Sequence, residues 1–299
     1  MKITVFNRDS AGHKGGDMVH CMAYVKALRE LGHDVEYSHA MYNVPAGEMN
    51  FLFHINFGWS WNQYKSLIQQ DKPYSIITIF YPHEFDVDKA RMREMIDGSK
   101  KVYCLSKIEK KELLDFTHYQ YPSKIEVIPN GVDKTIFTPE GPRFEEPYVI
   151  SAGRIESGKG HLSVIQACKK FDIPVKIVGA RVDHAYYEEC KNAYDKAEVI
   201  DWVDQETLAK YYRSAKVVVC ASDSERNNLS LLEGLACGCR GVTSPGNRGN
   251  EWIPDVRIAE PTNIDELATA IKIEWDGLDV MPYEFKIYSW DEIAKMISE

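Results

Sequence analysis

The feature that most constrains this chain is an alternation of strand-like and helix-like patterns that runs twice along its 299 residues. Short apolar runs at 2–6, 34–37, 50–56, 75–80, 101–105 and 125–128 predict strands. An amphipathic stretch from about Asp17 to Leu31 predicts the first helix, and Gly32 stops it as a C-cap does. Ser106 stands where an N-cap belongs, directly after the fifth run. The pattern pauses at 138–147, where three prolines and a glycine within ten residues predict a linker. It then resumes with strands at 148–152, 175–178, 199–200 and 217–220, and with helices at 161–171, from about Tyr186, and at 205–214. Strands alternating with helices imply parallel sheets covered on both faces. The expected fold class is therefore α/β, with two doubly wound domains of ordinary size.

Composition narrows the function classes. No apolar run approaches the roughly 18 residues of a membrane span, and the start, Met1-Lys2-Ile3-Thr4-Val5-Phe6, reads as a strand and not as a secretion signal. Seven scattered cysteines do not form a disulfide framework, and Cys237-Gly238-Cys239 lacks a second pair for zinc, so a cytoplasmic setting is expected. The net charge of -9 is uneven. Residues 1–145 carry 18 Lys+Arg against 19 Asp+Glu, and residues 146–299 carry 18 against 26, giving -1 and -8. An acidic whole argues against bulk nucleic-acid binding, which phosphate neutralisation drives. One stretch, 91–111, runs the other way, with Arg91, Arg93, Lys100, Lys101, Lys107, Lys110 and Lys111 against three acids. It is either a solvated helix face or a basic surface toward an anionic acceptor or the headgroups of a membrane, which the protein would touch peripherally.

In sheets of this kind, ligands bind at the carboxyl ends of strands. The loop after 148–152 is Gly153-Arg154-Ile155-Glu156-Ser157-Gly158-Lys159-Gly160. Small residues allow close backbone approach, a guanidinium offers two-point contact and an ammonium a point charge, which together suit a diphosphate; the bland alternative is a surface loop. The second candidate is Glu225-Arg226-Asn227-Asn228-Leu229-Ser230-Leu231-Leu232-Glu233. On one helix the two glutamates would be about 80° apart in azimuth. Glu225 is therefore expected in a loop, with Asn227 or Asn228 as the cap, Glu233 a turn inside the helix and Gly238 ending it. Two spaced glutamates alone say little.

The order of these pieces says more. Gly153-Arg154…Lys159-Gly160 followed by Glu225 and Glu233 resembles the retaining GT-B-fold glycosyltransferases of glycosyltransferase family 4. The string from Lys124 through Pro129-Asn130-Gly131 to Phe137-Thr138-Pro139 is similar to the segment by which that family leaves its first domain, and Ser289-Trp290-Asp291-Glu292 looks like its final helix. The resemblance implies two Rossmann-like domains with a cleft between them: 1–142 on the acceptor side, 143–278 for the nucleotide sugar, and 279–299 packing back on the first. It implies a transferase moving a hexose or pentose, with retention, from a nucleotide diphosphate sugar to a hydroxyl of a glycan or glycolipid. No cofactor or metal is then required, and a UDP-sugar is favoured over a GDP-sugar. Arg154 and Lys159 would hold the diphosphate, with Gly153 beside them. Glu225 would bind hydroxyls of the transferred sugar and Glu233 the ribose. Ser230 and Leu231 would offer amides to phosphate, with Asn228 and Leu229 at the same helix start. His83 and the pair Gly15-Gly16 match a donor-side histidine and a first-loop diglycine.

Departures fall on sugar-facing positions. Arg226, Asn227 and Asn228 replace the family's glycine, apolar residue and glycine or proline, and Gly246-Asn247-Arg248-Gly249-Asn250-Glu251 is irregular. One reading has Arg226 meeting a carboxylate on the donor sugar or the diphosphate. Phe57-Gly58-Trp59-Ser60-Trp61-Asn62-Gln63-Tyr64 either stacks on a sugar or base or packs. Asp86-Val87-Asp88 spells another fold's metal motif and is read as coincidence. The alternatives are transfer to a hydroxylated base in DNA, a nucleotide-sugar epimerase or hydrolase, and a non-catalytic binding module. A dinucleotide dehydrogenase is excluded because the loop from Asn7 to Gly16 lacks its close glycine spacing.

Overall fold

The computed structural model describes residues 1–8, 16–80, 88–118, 122–144, 146–277 and 283–298. They form two compact units, Met1–Gly131 with Trp290–Glu299, and Val132–Ser289.

In the first unit, six parallel strands β1 (Lys2–Phe6), β2 (Asp34–Ser38), β3 (Met49–Phe53), β4 (Ser75–Ile77), β5 (Val102–Cys104) and β6 (Ile125–Val127) lie in the order β2-β1-β3-β4-β5-β6. Helices α1 (Gly16–Glu30), α2 (Gly58–Gln69), α3 (Lys89–Gly98) and α4 (Lys107–Thr117) connect them. Phe6, Leu52, Ile76, Val102 and Ile125 share one core with Leu67, Met92, Met95 and Leu113 of α2, α3 and α4. The expected strand 50–56 stops at Phe53, because His54 takes φ +68 and turns the chain out of the sheet. Likewise 75–80 ends at Ile77, although the Thr78 amide still bonds the Tyr103 carbonyl at 2.8 Å. Ser106 caps α4 by accepting from the Glu109 amide at 3.0 Å, as its position predicts.

The two-residue strands β7 (Gly131–Val132) and β14 (Tyr288–Ser289) lie where the chain passes from one unit to the other. The crossing at 131/132 precedes the proline-rich stretch, in contrast to the expected division at 142/143. The reason is packing: Val132 and Phe137 are already buried in the second unit's core, and Arg213 of that unit binds the carbonyls of Ile136 and Thr138. The return falls at 289/290, later than 279, and the last helix, α10 (Trp290–Ser298), belongs to the first unit. Trp290 packs against His20 and Tyr24 of α1, at ring-centroid distances of 5.1 and 5.4 Å.

The second unit is built on β8 (Tyr148–Ala152), β9 (Val175–Val178), β10 (Ala197–Ile200), β11 (Ala215–Cys220), β12 (Arg240–Thr243) and β13 (Arg257–Ile258). They pair in parallel in the order β10-β9-β8-β11-β12-β13. Helices α5 (His161–Lys170), α6 (His184–Asn192), α7 (Gln205–Ser214), α8 (Leu229–Ala236) and α9 (Ile264–Asp276) cover both faces. Side chains alternate across a strand, and the core records it: Val149, Val217 and Val219 enter one cluster, Tyr148, Ile150, Val218 and Cys220 the other. α6 begins at His184, before Tyr186, because Asp183 caps it by accepting from the Tyr186 amide at 3.1 Å.

Candidate functional site

The strand order reverses between β8 and β11, and the loops leaving such a switch point open a crevice at the strands' carboxyl ends. Those loops are 153–160, which the sequence singled out, and 221–228, which holds the start of the second candidate stretch, 225–233. They meet directly. The Asp223 amide donates to the Gly158 carbonyl at 3.0 Å, and the Lys159 ammonium lies 2.5 Å from Glu225 Oε1. Both side chains are largely buried, 20% and 13% exposed, so their attraction is screened far less than at an open surface.

Backbone fit explains the closeness. Gly160 has φ +66, and a Cβ there would stand 2.2 Å from the Ala221 carbonyl oxygen. A Cβ on Gly179, just after β9, would stand 1.7 Å from the Gly153 carbonyl oxygen. Gly246 similarly meets the Asp223 carbonyl, 2.2 Å from a Cβ, and its own carbonyl accepts from the Glu225 amide at 3.0 Å. The irregular loop after β12 thus seats Glu225: Asn247 bridges to it, and the Arg248 amide donates to its carbonyl at 2.8 Å. Sequence reasoning singled out the loop that holds Gly246 but missed Gly179, which acts through a partner far along the chain.

Arg154 is half exposed, and its guanidinium pairs with Glu156 at 2.9 Å. Its carbonyl is held from beneath by His161, whose Nε2 is 3.1 Å away, while Nδ1 lies 3.0 Å from the Ser151 hydroxyl. Burial pushes the His161 pKa down to about 4, the Arg154 carbonyl opposes this, and the Lys159 charge adds to it. Sequence reasoning also missed this histidine; a buried polar residue opening a helix was the available signal.

Asn228 is the cap of α8: its Oδ1 accepts from the Leu231 amide at 2.7 Å and lies 2.9 Å from the Ser230 hydroxyl. The Leu231 amide is therefore already engaged, which corrects its expected role toward phosphate. The Ser230 amide, in the first turn beside Leu229, remains the candidate. The Leu231 side chain is core, 1% exposed. Glu233 sits a turn inside α8, and burial pushes its pKa up to about 8. Gly238, at φ +95, follows the helix end. Arg226 is 4% exposed, so any service to a ligand is rendered from a buried position.

In the first unit, Gly15 and His83 lie outside the described residues. Gly16 opens α1 with open space where a Cβ would be, so packing does not require it. Asp86 is outside the described residues too, whereas Asp88 caps α3 by accepting from the amides of Ala90 and Arg91. Of the aromatic run, Phe57 and Trp59 stack on each other at 5.3 Å with His54 edge-on to both, while Ser60, Gln63 and Tyr64 are buried along α2. Asp17 forms a two-point pair with Arg8 (2.7 and 2.8 Å) and lies 3.7 Å from His54 Nε2. Burial works to raise the Asp17 pKa, but these neighbours prevail and hold it well below the usual carboxylate range.

Most cations of 91–111 have local partners: Arg91 with Asp88, Arg93 with the Thr117 carbonyl, Lys101 with Glu126, Lys110 with the Pro122 carbonyl and Lys111 with Asp115. All seven cysteines are buried, and none is joined in a disulfide. Among the described residues, no helix is long and apolar enough to cross a membrane.

Comparison with known proteins meets this geometry. Residues 132–273 match the family profile described as glycosyl transferases group 1, wholly inside the second unit. D-inositol 3-phosphate glycosyltransferase of Arthrobacter sp. (strain FB24) is 32% identical over 167 residues, 48% of this chain and 39% of that protein. The chain therefore spans about two fifths of that relative's length. Among solved structures, sucrose-phosphate synthase from Thermosynechococcus elongatus is similar at a TM-score of 0.76 and 16% identity, over 100% of this chain and 97% of that one. Anabaena HepE in complex with UDP-glucose is similar at 0.71 and 13%, over 99% and 95%. The second unit thus matches the glycosyl transferases group 1 profile over residues 132–273, and the chain is similar in fold, two parallel α/β sheets, to GT-B glycosyltransferase structures.

Proposed function

We propose that the protein transfers a sugar, with retention and without a metal, from a nucleoside diphosphate to a hydroxyl of a glycan or glycolipid acceptor. The observation that carries this reading is the meeting of Lys159 and Glu225 at the switch point of the second sheet. A cation and an acid held together there suit a sugar joined to a diphosphate: the one for the phosphate charge, the other for sugar hydroxyls. The UDP-glucose complex of a structural neighbour supports a uridine diphosphate donor.

In this reading Arg154 exchanges Glu156 for diphosphate oxygens, and Lys159 turns part of its charge from Glu225 to the same group. The bond from the anomeric carbon to the diphosphate breaks, and charge builds on the departing oxygens, where the two cations stabilise it. The acceptor oxygen bonds to the anomeric carbon on the same face, and its proton passes to the diphosphate. Glu233 takes hydroxyls of the ribose, and the amide of Ser230 adds the dipole of a helix start to the phosphate site.

The experiment is a thermal-shift screen against nucleotide sugars, followed by donor turnover with and without sugar and cyclitol acceptors. A true donor raises Tm with its concentration, and an acceptor raises turnover above the hydrolytic background. If no nucleotide sugar shifts Tm, the reading is abandoned. If one is converted to an epimer without acceptor, the fold serves another reaction.

A further inference from the structure

His161 is 1% exposed and Ser151 2%, so their contact lies inside the second unit. The geometry fixes the ring's tautomer. A carbonyl oxygen only accepts, so the nitrogen 3.1 Å from the Arg154 carbonyl, Nε2, carries the proton. Nδ1 is then the acceptor of the hydrogen bond that the Ser151 hydroxyl donates, at 3.0 Å. The Arg154 carbonyl also accepts from the Glu156 amide at 3.1 Å, so its peptide is held from two directions. Between Arg154 and His161 the chain makes one turn of 3-10 helix and the left-handed Gly160, and the imidazole ties the far end of that loop back to its start.

We propose that His161 is a positioning residue of this loop: its imidazole, clamped between Ser151 and the Arg154 carbonyl, sets the directions in which Arg154 and Lys159 leave the chain toward a diphosphate. The inference rests on the reading above that loop 153–160 binds the donor's phosphates. It differs from a plain packing role because the effect passes through one donated hydrogen bond. Glutamine reproduces that bond, since its amide nitrogen reaches the place of Nε2, and leucine fills similar space without it.

The test uses the full chain with UDP as the probe, in wild type, His161→Gln and His161→Leu, each with its Tm. His161→Leu is expected to weaken UDP binding at least tenfold, and His161→Gln to recover it to within about threefold. Nitrogen-detected NMR of the wild-type ring is expected to show the Nε2–H tautomer, unchanged between pH 8 and 5. Leucine with wild-type affinity, glutamine no better than leucine, or an Nδ1–H or titrating ring would each overturn the proposal. Should His161→Leu fail to fold, the glutamine variant and the ring spectrum decide alone. A wild type that binds UDP but fails these comparisons sinks only the role of His161; one that binds no nucleoside diphosphate sinks the reading of the site, and this role with it.

Discussion

Glu233 carries the sharpest consequence at the scale of one residue. Its folded pKa of about 8 stands above the ordinary carboxylate value of 4.5, so the folded chain holds a proton there that the unfolded chain releases. Stability from this group is full below pH 4.5 and is lost as pH rises through 8. Glu233→Gln, which never ionises, should gain on wild type by about 1.4 kcal/mol per pH unit across that window and no further above it. Denaturation at pH 5, 7 and 9 measures this; a constant difference refutes the buried proton. The same group gives ligand binding a sign. If ribose hydroxyls donate to the carboxylate, UDP affinity rises with pH up to about 8, with proton release on binding, and Glu233→Gln flattens the slope. At Lys159 the expectation is kinetic. Lys159→Met leaves Glu225 without its ammonium and removes charge from the departing diphosphate, and should lower kcat by at least a hundredfold.

At the scale of elements, loop 153–160 is shaped by close backbone approaches. Gly160→Ala places a Cβ against the Ala221 carbonyl at a left-handed φ and should cost about 2–4 kcal/mol. Gly158→Ala, where a Cβ meets nothing within 4 Å, should stay within about 0.5 kcal/mol. Comparing the two Tm values separates fit from mere glycine content. The alternation of patterns was legible because each strand and helix is a local statement: spacing alone put the cap at Asn227 or Asn228, which the structure resolves to Asn228, with Glu233 inside the helix and Gly238 at its end. The meeting of Lys159 with Glu225 was open only through the resemblance, because strand order creates it and no local pattern encodes strand order. The close approach of Gly179 to the Gly153 carbonyl and the contact of Ser151 with His161 were illegible for the same reason. Asn50 to Phe53 reads as strand, but the left-handed turn that ends it at His54 breaks no apolar pattern and so leaves no mark in the sequence.

At the scale of the whole molecule, the first unit is made from both ends of the sequence. Ile293, Ala294 and Ile297 of α10 are buried, and a Cβ on Gly131 would stand 2.7 Å from the Trp290 amide nitrogen. Truncation after Ser289 should therefore lower the melting of the first unit and expose apolar surface around His20, Tyr24 and Phe53, while Val132–Ser289 keeps its own transition. Calorimetry with dye binding reads both. The arrangement also orders events during synthesis. Chains fold from the amino terminus as they emerge, yet here residues 1–131 receive the helix at 290–298 only after the whole intervening segment has left the ribosome. Between those two moments His20 and Tyr24 lack the indole that packs on them in the finished unit, and their aromatic seam is open to other apolar surfaces.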